Sequence, residues 1–97
     1  MVVGICVILW ARPGAEQAVH EYEDRVLGLL GRHDGRLLTR LRVVDDGPCE
    51  IQVIEFASEK ALADFQRDPD RAALSALRDR AIERTQLIRV ERVGPTE

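Results

Sequence analysis

The sequence predicts an α+β domain of β-α-β-β-α-β order, and three observations predict it. A nearly unbroken β-branched and aliphatic run of strand length, Val2 to Ala11, opens the chain. A segment of period-two alternation, Arg36 to Val44, and a β-rich run, Glu50 to Ala57, flank the turn composition Asp45-Asp46-Gly47-Pro48, which makes an antiparallel hairpin. A stretch of 3.6-residue apolar spacing lies on each side of that hairpin.

Each element has its own justification. Strand one ends where Arg12-Pro13-Gly14 supplies turn chemistry. Helix one begins at Ala15, carries its apolar residues at Ala15, Val19, Tyr22, Val26 and Leu29 or Leu30, and runs to His33, where Asp34-Gly35 stops it. Strand two alternates Leu37, Thr39, Leu41 and Val43 on one face with Leu38, Arg40, Arg42 and Val44 on the other. Strand three follows the turn as EIQVIEFA, with Glu55 between Ile54 and Phe56. Ser58 is an N-cap for a short helix with an Ala61, Leu62 and Phe65 stripe, and Glu59 sits at the positive end of its dipole. Asp68 caps afresh with Pro69 at the first helical position, and Leu74, Leu77 and Ala81 continue the buried face. A last strand, Gln86 to Val93, ends at Gly94-Pro95.

Two β-α-β units with right-handed crossovers, joined through a hairpin, give a four-stranded antiparallel sheet with both helices on one face, the ferredoxin-like sandwich. Residues 1–97 make one domain, and a domain of this size buries only roughly 60 to 65% of the surface its unfolded chain exposes. Strand one is apolar on both parities: Val3, Ile5, Val7 and Leu9 point one way, Val2, Cys6, Ile8 and Trp10 the other. Two helices cover one face, so a continuous hydrophobic strand demands cover on the second. A second copy packing sheet against sheet about a two-fold axis is the simplest cover, and the expectation is a homodimer.

Composition restricts the partners. The net charge of -3 gives no electrostatic reason to expect nucleic acid. The apolar start lacks a basic n-region and is broken by Arg12 and Pro13, too short for a signal peptide or a bilayer span. Cys6 and Cys49 form no CxxC or Cys/His cluster and read as free thiols in a reducing compartment, so the chain is expected in the cytoplasm, without membrane contact.

Several short motifs carry a likeness: Tyr22 within HEYE, HDGRLLTR from His33 to Arg40, VIEFAS from Val53 to Ser58, the Asp68-Pro69 break and ALR from Ala76 to Arg78. Through them the chain resembles the dimeric α+β barrel proteins related to antibiotic-biosynthesis monooxygenases, and within these an uncharacterised domain-of-unknown-function group. The resemblance covers nearly the whole chain and implies the fold and the dimer. It does not choose a chemistry, since the wider superfamily holds cofactor-independent oxygenases, cyclases, haem-degrading enzymes, decarboxylating isomerases and proteins without known activity.

Candidate site residues follow from position. Glu55 shares parity with Ile51 and Val53, and a desolvated carboxylate on that apolar face has a raised pKa suited to proton transfer; the competing expectation is a pair with an arginine of a neighbouring strand. Arg40, on the hairpin partner, is its natural pairing group or an anchor for a ligand carboxylate. Tyr22 lies on the apolar stripe of helix one and needs a hydroxyl partner at the edge. His20 is one position off that stripe and reads as solvent-facing, whereas His33 sits at the helix end, where a cation suits the dipole. Glu55, His20 and His33 are thus the catalytic candidates and Tyr22, Arg40 and Glu55 the ligand-binding ones. Trp10 suits a pocket mouth or the dimer interface, and Arg78 a surface salt bridge with Asp79 or a neighbour such as Glu83. The two histidines, thirteen residues apart with no clustered cysteine or carboxylate set, make no metal site, and no cofactor is expected.

Three functions fit. The first is a cytoplasmic homodimer binding a small, largely apolar molecule between helices and sheet. The second is a cofactor-independent monooxygenase or a cyclase/isomerase acting on an aromatic or polyketide-like substrate. The third is a purely structural dimerisation module.

Overall fold

The computed structural model describes residues 2–94. Strand β1 (Val3–Ala11) ends in a turn in which the Ala15 N–H donates to the Arg12 carbonyl at 2.9 Å. Proline at the turn's second position and Gly14 at its third, with φ of 76°, satisfy the backbone this turn requires. It delivers the chain into helix α1 (Glu16–Leu27). That helix is shorter than its apolar spacing predicts. The stretch that follows tightens into a 3-10 turn, Leu30–His33, with Leu29 N–H on the Val26 carbonyl at 3.0 Å and Arg32 N–H on the Leu29 carbonyl at 3.1 Å. Gly28 and Gly31 account for the change, because each weakens an α-helix by about 1 kcal/mol relative to alanine, and the chain closes on i to i+3 bonds instead. The stop falls where expected. Asp34 takes the left-handed conformation, φ 52°, and Gly35 is needed for space, since a Cβ there would lie 2.7 Å from the Phe56 ring.

Strand β2 (Gly35–Arg42) does not keep the single alternation its sequence suggests. Its register against strand β3 (Glu50–Phe56) passes from Leu37 opposite Ile54 to Thr39 opposite Val53, leaving Leu38 as an extra residue. A bulge of one residue reverses every later side chain. Leu37 therefore faces the helices, Thr39 and Leu41 face away from them, and Arg40 comes round to the helix side opposite Gln52.

The two-part second helical region is as predicted at its caps. The Ser58 hydroxyl accepts from the Ala61 N–H at 3.0 Å to start helix α2 (Glu59–Gln66). The Asp68 carboxylate accepts from the Asp70 N–H at 2.8 Å to start helix α3 (Pro69–Ala72), and helix α4 (Ser75–Ala81) completes the region. Strand β4 (Ile82–Val90) follows with no loop, four residues earlier than the expected Gln86 to Val93. Pairing of Ile82 with Ala11, across an irregularity at Trp10 and Ala11, starts the strand at once. Residues 91–94 lie outside it, and Pro95 of the expected terminator is outside the described residues.

The sheet order is β2-β3-β1-β4, antiparallel throughout, which is the ferredoxin-like arrangement. Val3, Ile5, Val7 and Leu9 of β1, with Ile54 and Phe56 of β3, pack against Val19, Tyr22 and Val26 of α1, Leu62 and Phe65 of α2, and Ala81. The other face carries Cys6, Ile8 and Trp10 between Ile51 and Val53 on one side and Ile88 and Val90 on the other. These side chains are half-buried or exposed, and the Arg84 guanidinium lies 4.1 Å over the Trp10 ring. Among the described residues no helix is long and apolar enough to cross a membrane.

Candidate functional site

The helix–sheet layer does not close completely. A cavity of about 60 Å³ remains between Val7 and Leu9 of β1, Tyr22, Glu23 and Val26 of α1, Gln52 of β3 and Leu62 of α2, with Arg71 and Arg78 on its wall. Most of this lining is apolar, as a small-molecule site requires, and a few polar groups converge on it.

Glu23 is the unusual group among them. The α1 stripe recurs at Val19, Tyr22, Glu23 and Val26, so a carboxyl occupies a core position and is only 5% exposed. Gln52 Nε2 donates to Glu23 Oε1 at 2.8 Å and to Glu50 Oε2 at 2.7 Å, bridging two carboxyl groups. Glu50 and Gln52 share the core parity of β3 with Ile54 and Phe56, and each is 1% exposed. Arg40 closes the network. Its Nε donates to Glu50 Oε2 at 2.8 Å, its Nη2 to Glu50 Oε1 at 3.2 Å and to the His20 carbonyl at 3.0 Å, and its Nη1 to Asp24 Oδ1 at 2.6 Å. His20 Nδ1 donates to Glu50 Oε1 at 2.5 Å.

The two buried carboxyls are driven apart electrostatically. Burial raises the pKa of Glu23, Gln52's hydrogen bond opposes the rise and the charge of Glu50 adds to it. Burial also opposes ionisation of Glu50, but hydrogen bonds from Arg40, Gln52 and His20 outweigh it and its pKa lies below the usual carboxylate value. One network thus holds two carboxyls whose pKa values are pushed in opposite directions, Glu23 up and Glu50 down. Tyr22, beside Glu23, has its phenol pKa raised, by burial first, with Arg71 opposing.

Glu23→Gln isolates the contribution of this titration. A folded-state pKa raised above 4.5 means the native state binds more protons, so stability is fully present below that value and declines as pH rises through the folded pKa. The amide keeps the acceptor for Gln52 and removes the titration. The variant is expected to melt higher than the parent at pH 7 and level with it at pH 4, checked by thermal denaturation across that range; a higher melting point at both pH values would reject titration as the cause.

The structure separates the residues singled out by the sequence. Tyr22 lines the cavity. Arg40 and His20 lie outside it, on a shallow recess over α1 and β2, and His20 is not solvent-facing: its side chain is 13% exposed and tied to Glu50. His33 does not rest on a helix dipole. Its Nε2 donates to the buried Asp68 at 2.7 Å, and its ring meets Phe65 edge-on. That bond, followed by the Asp70 amide, lowers the Asp68 pKa. Glu55 is on the opposite face of the sheet, 24% exposed, and accepts from Arg36 Nη2 at 2.8 Å, so its partner is an arginine of the neighbouring strand but not Arg40. It borders an open groove of about 400 Å³ with Val2, Gly4, Val53 and Val90. Arg78 contacts Asp79 at 3.8 Å as well as lining the cavity. Glu23, Glu50 and Gln52 were not singled out by sequence reasoning, although stripe position and strand parity both mark them. Among the described residues no three His, Cys, Asp or Glu side chains group so as to hold a metal ion.

Comparison with solved structures matches this fold. A protein of unknown function from Rhodopseudomonas palustris superposes with a TM-score of 0.78 at 19% identity, over 97% of this chain and 84% of that one. A dimeric protein of unknown function and ferredoxin-like fold from Bacteroides fragilis gives 0.73 at 14% identity, over 93% and 95% of the two chains. A dabb family protein with a ferredoxin-like fold from Mesorhizobium loti gives 0.67 at 18% identity, over 96% and 98%. At these identities the likeness is one of fold. No curated protein matches the sequence. A family model described as "Domain of unknown function (DUF1330)" matches residues 7–93, and the chain belongs to that family.

Proposed function

We propose that this chain is a single-domain cytoplasmic homodimer that binds a small, largely apolar molecule in the cavity between its helices and its sheet. The observation that carries the reading is Glu23: a carboxyl on the core stripe, aligned by Gln52, at the wall of a mostly apolar cavity. A plain structural core has no use for a desolvated acid at that place, since burying one costs stability. Tyr22, Glu23 and Gln52 supply the polar contacts. Arg40 acts on the site from behind, through Glu50 and Gln52. The groove beside Glu55 is assigned to the contact between copies, consistent with the dimeric state of the Bacteroides fragilis relative. Two free thiols support a reducing compartment.

The cavity is well below the roughly 300–1,000 Å³ of drug-sized sites, so the fitting ligand has only a handful of non-hydrogen atoms. A second reading, acid–base catalysis on such a molecule, is favoured by the raised pKa of Glu23 in an enclosed site. Methyl NMR of the labelled protein tests the pocket against a panel of small alcohols, amides and carboxylates. At least one is expected to shift the Val7, Val26 and Leu62 resonances, and Val26→Phe, which fills the space, to abolish the response. A panel that leaves all three methyls unmoved would sink the binding reading and favour the structural module.

A further inference from the structure

We infer that the cavity's ligand is a short-chain monocarboxylate, its carboxylate held by Arg71 and its alkyl chain by Val7, Val26 and Leu62. This rests on the pocket reading above and adds the ligand class.

Arg71 carries the argument. It reaches the cavity wall from α3, with its guanidinium carbon 5.4 Å from the Phe65 ring centroid and its Nη1 donating to the Gln66 carbonyl at 3.3 Å. Its Nε is buried and meets no acceptor among the described residues, and no carboxylate there forms a salt bridge with it. A buried donor left unsatisfied is costly, more so when it belongs to a cation, and such a group in a folded protein calls for an explanation. Arg78 brings a second guanidinium to the same wall, its contact with the exposed Asp79 being loose at 3.8 Å. Facing these two cations the lining offers a single carboxyl, Glu23, whose Oε1 is already engaged by Gln52. The lining therefore sets one carboxyl against two guanidinium groups and is short of negative charge. A carboxylate supplies it and matches the guanidinium fork, which takes two oxygens side by side. Size sets the rest: at about 10–15 Å³ per water-sized sphere, 60 Å³ admits about four to six such spheres, the range of a three- or four-carbon acid. The apolar lining at Val7, Val26 and Leu62 favours an alkyl tail over a bare inorganic oxyanion.

The test titrates the full labelled chain at pH 7 with butyrate, with butyramide as its uncharged counterpart, and with inorganic phosphate. Butyrate is expected to shift the Val7, Val26 and Leu62 methyls and to bind at least tenfold more tightly than either competitor. Arg71→Gln is expected to bring butyrate down to the affinity of butyramide, and Arg71→Lys to retain part of the difference. Should Arg71→Gln fail to fold, Arg78→Gln, at a more exposed side chain, is expected to weaken butyrate severalfold and leave butyramide unchanged. Equal binding of butyrate and butyramide, or phosphate binding as tightly as butyrate, would overturn the carboxylate assignment while leaving the pocket standing. Silence from all three probes, with the wider panel silent too, would remove the pocket as well.

Discussion

Arg40→Met is expected to destabilise the fold by about 3–5 kcal/mol, a large part of the roughly 5–15 kcal/mol by which domains are stable. Methionine occupies much of the volume of the arginine stem, so the loss does not come from a cavity. It comes from Glu50, whose carboxylate is 1% exposed and would lose the guanidinium fork, keeping only Gln52 and His20. The Arg40 contact with Asp24 is exposed and contributes little by comparison. Urea unfolding of the parent and variant measures the effect, and a change below about 1 kcal/mol, the worth of a surface pair, would contradict it. The pH dependence gives an independent sign. In the parent, the folded pKa of Glu50 lies below 4.5, so its stabilisation is present above that value and is lost as pH falls through the folded pKa. Without Arg40 the cost of burying the charge prevails and the folded pKa rises, so the variant is expected to gain stability on acidification from pH 7 toward 5, where the parent's Glu50 contributes no change. Adding Glu50→Leu to Arg40→Met removes the stranded charge and is expected to recover a substantial part of the loss.

The same network shows what a single sequence reveals and what it conceals. The order of elements, the hairpin and the caps at Ser58 and Asp68 rest on local chemistry, and each is found where its residues place it. Strand parity was equally visible, but parity says which residues share a face and not which face is covered. Glu55 drew attention because Ile51 and Val53 flank it on its face, yet that face is the one the helices leave open. The carboxyl in a covered position was Glu50, in line with Ile54 and Phe56. Arg40 was legible as a cation on the hairpin, but its partner was not, because one extra residue at Leu38 turns it from Glu55's side to Glu50's. A bulge is decided by how two strands settle against each other, and alternation alone cannot reveal it. The early start of β4 was hidden for a related reason. Ile82 enters the sheet by pairing with Ala11 across an irregularity, and Glu83 and Arg84 after it lie on an edge strand, where charge is tolerated and interrupts the apolar run that marks a strand.

Ile8→Glu is expected to convert the proposed dimer into monomers. Ile8 lies near the middle of the open face, on a central strand, opposite Ile51 and Gln86. A stable interface buries about 800 Å² on each partner and concentrates its energy in a few central apolar side chains. In a two-fold interface the same substitution enters twice, so two carboxylates would be desolvated together, each at a cost of several kcal/mol when unpaired. A rise of at least a thousandfold in the dissociation constant is expected, read by light scattering and sedimentation at micromolar concentration. Glu21→Ala, exposed on α1 and remote from that face, serves as the control and is expected to remain dimeric. A parent chain that is monomeric at micromolar concentration, or an Ile8→Glu chain that dimerises as the parent does, would reject the sheet-to-sheet contact. In either case the pocket proposal would survive, because the cavity lies wholly between one chain's own helices and its own sheet. Cover for the open face and chemistry in the helix–sheet layer are thus separable, one borne by β1 and its neighbours, the other by α1 and the core-facing side of β3.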